Sequence, residues 1–229
     1  MSSGPGSLPK GSRKKKVLLV EDHPIVRQGL AEVINRTREL AVCGEASTVK
    51  EALRVIPELK PELAIVDLSL GEESGLAFIK DLQVRHPELP VLVLSMHEES
   101  FYAERVLRAG AKGYIMKREP VGELRSAALR VLAGEIYLSP RMSQRLLHTL
   151  AKGGKAATRS PEHRLSDREL DVFKLIGRGR GASEVAKQLH LSVKTIETYQ
   201  VRLKEKLGLG SAEELFQYAL NWVRSQEPE

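Results

Sequence analysis

The sequence predicts an α/β domain, five parallel strands wound on both faces by helices, followed by a small all-α domain. Three observations predict it. Short apolar runs alternate five times with helix-length segments between residues 17 and 133, the rhythm of a parallel sheet with crossover helices. Four of the runs end on polar residues: 17–20 on Glu21-Asp22, 64–66 on Asp67, 91–94 on Ser95 and 113–116 on Lys117. From residue 164 the pattern becomes helical throughout and is punctuated by glycines, among them Gly177, Gly179, Gly181, Gly208 and Gly210.

Taken in order, residues 1–14 are Gly/Ser/Pro-rich and basic, and read as a disordered tail. Strand 17–20 leads to a helix from Pro24 to about Asn35, with proline at a first helical position. Strand 40–44 precedes a helix at 49–56, strand 63–66 a helix at 75–85, strand 91–94 a helix at 100–109, and strand 113–116 a helix at 121–133. Helices on both faces of five parallel strands suggest the flavodoxin-like, doubly wound order. A connector follows, with a short helix at 139–151 and a flexible linker at 152–161 rich in glycine and small residues. Gly154-Lys155-Ala156 is not a Walker motif, because the leading glycine spacing and the Ser/Thr are missing.

In the second domain Ser166 and Glu169 have capping-box spacing and start a helix to about Ile176. A short helix spans about 183–190, Ser192 caps a third running to Leu207, and a last runs from 211 to about 223. Two helices joined through His190-Leu191-Ser192, the second long and polar on one face, read as a helix-turn-helix.

The chain has 229 residues, enough for two small domains, with 41% hydrophobic and 29% charged residues. No apolar run approaches a membrane span and no apolar segment follows the basic N-terminus, so a cytoplasmic location without a membrane partner is expected. Cys43 is the single cysteine and is expected to be a buried structural thiol. The net charge of +6 is concentrated in the tail, with five basic residues in 1–16. Residues 164–229 hold eleven basic and ten acidic residues, so charge alone argues little for nucleic acid.

The chemistry lies at the strand ends. In a parallel sheet the carboxyl ends share one edge, where ligands bind. Glu21, Asp22 and Asp67 therefore converge with Ser95 and Lys117. Clustered carboxylates repel and call for a cation, and an all-oxygen set with room for water suits magnesium. Lysine and hydroxyl can hold oxygens of an anion bound to the same metal. Such a site transfers phosphoryl groups, with Asp67 as nucleophile. The plainer alternative is that Asp67 only caps the following loop.

Glu21-Asp22, Asp67, Ser95, Tyr114 and Lys117, in this order, resemble a response-regulator receiver domain across roughly residues 15–132. Leu165-Ser166, Arg168-Glu169, Glu184-Val185-Ala186, Leu189, Leu191-Ser192, Thr195-Ile196 and Lys206-Leu207-Gly208 resemble the LuxR-type DNA-binding domain. Together the halves are similar to response regulators of the NarL/FixJ type. The resemblance implies a tail at 1–14, a receiver at 15–134, a linker at 135–163 and a DNA-binding domain at 164–229. It implies that Asp67 is the phosphoacceptor, that Ser95 and Lys117 complete the catalytic set, and that Ser95 and Tyr114 form the switch. Magnesium would be held by Asp22 directly, by Glu21 through water, and by Asp67 and Ser69. Drawing Ser95 toward the phosphoryl group would let Tyr114 rotate inward, and His97 and Ser69 would tune phosphoryl lifetime. The partners implied are a sensor histidine kinase, double-stranded DNA and a second copy, in a homodimer when phosphorylated. The chain would not be a turnover enzyme, since it transfers a phosphoryl group only to itself. Two positions depart from the family pattern. Gly71 replaces the usual proline four residues after the nucleophile, suggesting a looser loop at 70–74, and Arg118 rather than proline follows Lys117.

At 100° per residue the third helix of this domain places Ile196, Gln200, Leu203 and Leu207 on its core side. Lys194, Glu197, Thr198, Val201 and Glu205 fall opposite and face the groove if the helix enters DNA. Thr195, Arg202, Lys204 and Lys206 flank them as phosphate candidates. A merely solvated helix face is the alternative. Tyr199 sits at the core edge, and Trp222 is expected to pack rather than stack on bases.

Three other functions compete with this reading. A phosphatase with an aspartyl nucleophile needs a second aspartate two residues on, where Ser69 stands. A small-molecule receptor wants aromatics for its pocket, and the chain has 4%. A receiver acting through protein contacts, independently of phosphorylation, is compatible with the same residues.

Overall fold

The computed structural model describes residues 13–71, 73–151, 161–189 and 191–226. The chain alternates β1 (Lys15–Val20), α1 (Pro24–Asn35), β2 (Leu40–Ala46), α2 (Val49–Leu59) and β3 (Leu63–Val66). A small hairpin, β4 (Ser69–Leu70) and β5 (Glu73–Ser74), precedes α3 (Gly75–Arg85). Then come β6 (Val91–Ser95), α4 (Glu99–Arg108), β7 (Gly113–Met116) and α5 (Val121–Leu132). The large sheet is parallel, in the order β2-β1-β3-β6-β7, so the flavodoxin-like expectation holds. The order reverses between β1 and β3, and a crevice opens there at the strands' carboxyl ends.

Alternation along the strands decides which face each side chain covers. Val17, Leu19, Leu63 and Ile65 pack with Ala31, Ile34, Leu124 and Val131 under α1 and α5. Leu18, Val20, Ala64 and Val66 pack with Ala52, Ile79, Tyr102 and Val106 on the other face. Burial of both faces explains why these strands are continuous apolar runs.

Several details differ from expectation. α2 runs through Pro57 to Leu59 rather than ending at 56, because a proline one turn from a helix end costs only a ladder bond near the terminus. The expected loose loop at 70–74 carries the β4–β5 ladder instead. Gly71 makes its turn at φ +59°, a conformation glycine adopts without strain, and its N–H donates to Asp22 Oδ2 at 2.9 Å. Cys43 is half-buried, not fully buried, because β2 is an edge strand. Among the described residues no peptide bond is cis, which settles the bond after Lys117 as trans. Gly75 opens α3 against the acceptor strand: a Cβ there would lie 2.4 Å from the carbonyl oxygen of Asp67.

Residues 135–139 return across the sheet edge, where Tyr137 bridges Gly113, and lead to α6 (Pro140–Ala151). Linker residues 152–160 and tail residues 1–12, read above as flexible and disordered, lie outside the described residues, as does His190. A 3-10 turn (Pro161–Arg164) precedes α7 (Asp167–Gly177), α8 (Ala182–Gln188), α9 (Val193–Leu207) and α10 (Ala212–Gln226). The capping box forms: Ser166 Oγ accepts from Glu169 N and Glu169 Oε2 from Ser166 N. Ser192 caps α9 by accepting from Thr195 N, and Gly208 ends it in the left-handed region.

The apolar cluster on the α2–α3–α4 face continues into Leu165, Leu170, Phe173, Leu215 and Trp222 of the helical domain. The two domains therefore pack together. Phe101 of α4 makes an edge-to-face contact with Trp222 at 5.4 Å and stacks on His163 at 4.7 Å. Asp167 at the start of α7 is 2.6 Å from Lys80 Nζ and 3.1 Å from Arg105 Nη1.

Candidate functional site

Five strand-end residues expected to converge do so. Asp67 follows β3, and its N–H donates to Val20 O; its side chain is buried, with the residue 4% exposed. Lys117, just beyond β7, places Nζ 2.8 Å from Asp67 Oδ2 and 2.6 Å from Glu21 Oε2. One ammonium thus bridges two buried carboxylates. Burial would lower the Lys117 pKa, but Asp67 and Glu21 more than offset it and the pKa rises. Asp67 is also shifted up, by burial first, with Lys117 opposing and Glu21 adding to the rise. The directions agree physically: two anions share one cation, so the cation is favoured and the aspartate still lacks charge compensation.

Asp67 Oδ1 is buried without a hydrogen-bond partner. Glu21, Asp22, His23 and Asp67 can each offer one ligand atom, all within 4.8 Å of one another. Three carboxylates around an uncommitted oxygen form a hard-oxygen donor set that fits magnesium. His23 joins this group although its pattern drew no attention in the sequence; it lies 2.7 Å from Asp22 Oδ1. Its signal was adjacency to Glu21-Asp22 at the N-terminus of α1. The backbone of Ser69, an expected metal ligand, leaves Asp67 toward β4, while its hydroxyl turns to His97 Nε2 at 3.2 Å.

Ser95 is fully buried at the end of β6, and its Oγ accepts from His97 N at 3.2 Å. Tyr114 follows in β7. It is inward and fully buried, with its hydroxyl donating to the His97 carbonyl at 2.6 Å.

His97 also meets the second domain. Lys174 of α7 donates to its Nε2 at 2.9 Å. Burial, Lys174, Arg178 and Lys117 push the imidazole down to about 3, so the ring is neutral; with the Lys174 ammonium donating to Nε2, the ring proton falls to Nδ1. A cavity of about 480 Å³ is lined by Asp22, Asp67, Ser69, His97 and Lys117 and roofed by Lys174, Arg178 and Trp222.

On α9 the expected reading face is open: Lys194, Glu197, Thr198, Val201, Arg202 and Glu205 are exposed, and Val201 is 50% exposed. His163, Asp167, Lys174 and Trp222, which contact the receiver, all lie off this face. Ile196, Leu203 and Leu207 are buried as expected, whereas Gln200 is half-buried. Thr195 is half-buried beside Ser192 Oγ at 2.8 Å, and Thr198 Oγ1 donates back to Lys194 O. Lys206 is held 2.6 Å from the buried Glu169. Tyr199 packs partly against the core.

Residues 17–129 match the model for the response regulator receiver domain, and residues 163–219 that for bacterial regulatory proteins of the luxR family. The oxygen regulatory protein NreC of Staphylococcus aureus is 36% identical over 209 residues, covering 90% of this chain and 96% of its own. RcsB of Salmonella enterica serovar Typhimurium, bound to the rprA promoter with the phosphomimetic BeF3-, superposes with TM-score 0.67 at 27% identity. That match covers 91% of this chain and 99% of RcsB. A structure of two RcsB dimers on two parallel DNAs gives TM-score 0.66 at 27% identity, over 90% of this chain and 99% of RcsB.

Proposed function

The chain belongs to the response regulators with a receiver and a LuxR-type DNA-binding domain, and on that footing we propose that Asp67 accepts its switching phosphoryl group. It is a two-component transcription regulator. The observation that carries the assignment is the split carboxylate of Asp67: Lys117 holds Oδ2, while Oδ1 is buried and unpartnered beside the cavity.

Oδ1 attacks phosphorus as the bond to the donor breaks, and the donor keeps that electron pair. In a partner histidine kinase the donor atom is an imidazole nitrogen; in an acyl phosphate it is a carboxylate oxygen. Lys117 pairs with a phosphoryl oxygen as charge builds, and Ser95, once turned from His97 N, donates to another. Glu21, Asp22 and Asp67, with the Ser69 carbonyl as the family pattern implies, would hold magnesium, which neutralises charge on the transferring group. The protein is not a turnover enzyme on this reading, because the phosphoryl acceptor is its own side chain.

Specific DNA binding is assigned to α9 through Lys194, Glu197, Thr198 and Val201 on base edges, with Thr195 and Arg202 on phosphates and Lys206 shared between a phosphate and Glu169. The DNA-bound RcsB dimers support a paired, two-domain readout here. Labelling with a small acyl phosphate tests the acceptor. Asp67→Asn should abolish incorporation, and full incorporation into that variant removes Asp67 from the role.

A second reading, regulation through protein contacts without phosphorylation, is favoured by one feature. The α9 face is exposed while the two domains are packed together, so that packing does not cover it.

A further inference from the structure

His97 stands where four contacts meet. Its N–H donates to Ser95 Oγ, its carbonyl accepts from Tyr114, and its Nε2 faces both Ser69 Oγ and Lys174 Nζ. The first three partners belong to the receiver. Lys174 comes from the DNA-binding domain, 77 residues further along the chain.

Lys174 stands in the last turn of α7. It is half-buried at the domain junction, with the Tyr102 ring 5.2 Å from Nζ. Burial lowers its pKa to about 8, with Arg178 lowering it further and Asp171 and Asp67 opposing. Holding an ammonium partly out of water costs solvation, and here the contact it makes is on His97 Nε2 beside the acceptor cavity.

We propose that Lys174 is a positioning residue for aspartyl-phosphate hydrolysis: by donating to His97 Nε2 it withholds that base from water beside Asp67. The inference rests on Asp67 being the acceptor, as proposed above. In hydrolysis a water oxygen bonds to phosphorus as the bond to the Asp67 oxygen breaks. The electron pair of that bond stays on the aspartate. The water proton passes to the Nε2 lone pair and then to solvent, and inorganic phosphate leaves. While the domains are packed, the Nε2 lone pair is directed at Lys174. When the DNA-binding domain departs, the lone pair becomes available to the water. The released state therefore shortens the life of the signal that released it.

The test follows decay of labelled full-length protein after removal of the acyl phosphate donor. Without DNA the labelled chain returns to the packed arrangement between releases, and only there does Lys174 cover Nε2; Lys174→Met should therefore shorten the half-life measured without DNA by up to about fivefold, the effect of one net hydrogen bond. Lys174→Arg, which keeps a donor and the charge, should restore it toward the parent value. In a His97→Ala background Lys174→Met should have no further effect, since the coupling runs through that side chain. An unchanged half-life in Lys174→Met, or the same fivefold loss without His97, overturns the inference. Asp67→Asn is labelled in parallel: incorporation there would defeat the acceptor assignment itself, and is read before any decay is followed.

Discussion

Asp167 at the first turn of α7 is shared by two receiver cations, Lys80 Nζ at 2.6 Å and Arg105 Nη1 at 3.1 Å. It is the polar anchor of the domain junction, alongside the apolar contact of Phe101 with Trp222. Burial would raise its pKa, but the hydrogen bonds from Lys80 and Arg105 bring it below the ordinary value.

The first prediction follows from that shift. A carboxylate whose pKa is depressed on packing stabilises packing above its free value of 3.8, and the contribution is lost as pH falls through the depressed value. Asp167→Asn should therefore loosen the junction at neutral pH and remove this part of its acid sensitivity. The side chain is 33% exposed, so screening keeps the effect modest. Energy transfer between dyes on α2 and α10 reads it; identical transfer in parent and variant from pH 7 to pH 3 would exclude the anchor role.

The second concerns Tyr114. Its hydroxyl holds the His97 carbonyl, so Tyr114→Phe keeps the ring and frees His97. Labelling of Asp67 should persist, while the change in DNA binding that labelling produces should shrink. Loss of labelling in Tyr114→Phe would make the residue part of the acceptor site instead.

The third separates two cations on α9. Arg202 is exposed, whereas Lys206 neutralises the buried Glu169, whose carboxyl it and Ser166 bring below the usual range against the pull of burial. Arg202→Ala should weaken all sequences and reduce the salt slope by about one. Lys206→Ala should in addition lower the thermal stability of the protein, because it leaves a buried charge unpaired. Equal unfolding temperatures for the two variants would contradict the structural role of Lys206.

The acceptor edge was legible because a parallel sheet turns sequence position into geometry. A polar residue ending an apolar run lands on the carboxyl edge, so Asp67, Ser95 and Lys117 could be placed without knowing any contact. His97 was legible only by its offset from Ser95. Its side-chain partner Lys174 was not, because residues 77 apart in different domains share no periodicity. The same limit hid the Asp167 anchor. Lys206 shows a subtler loss: angular position put it beside the DNA face, but only packing reveals that Glu169 beneath it already claims its charge. The Tyr114 rotamer was illegible too, since the hydrogen bond of its hydroxyl to the His97 carbonyl depends on packing between two strand ends that periodicity does not describe.

The central claim is that phosphorylation of Asp67 governs DNA binding by paired domains. The most direct measurement is a mobility shift on one and on two inverted half-sites, spaced about one helical turn apart, with and without acyl phosphate. Acyl phosphate should raise affinity for the two-site DNA tenfold or more, which needs only a few kcal/mol of bias toward the paired state. It should leave the single half-site weak, and Asp67→Asn should show no response. Tight binding to a single half-site, unchanged by acyl phosphate and equal in Asp67→Asn, would contradict it.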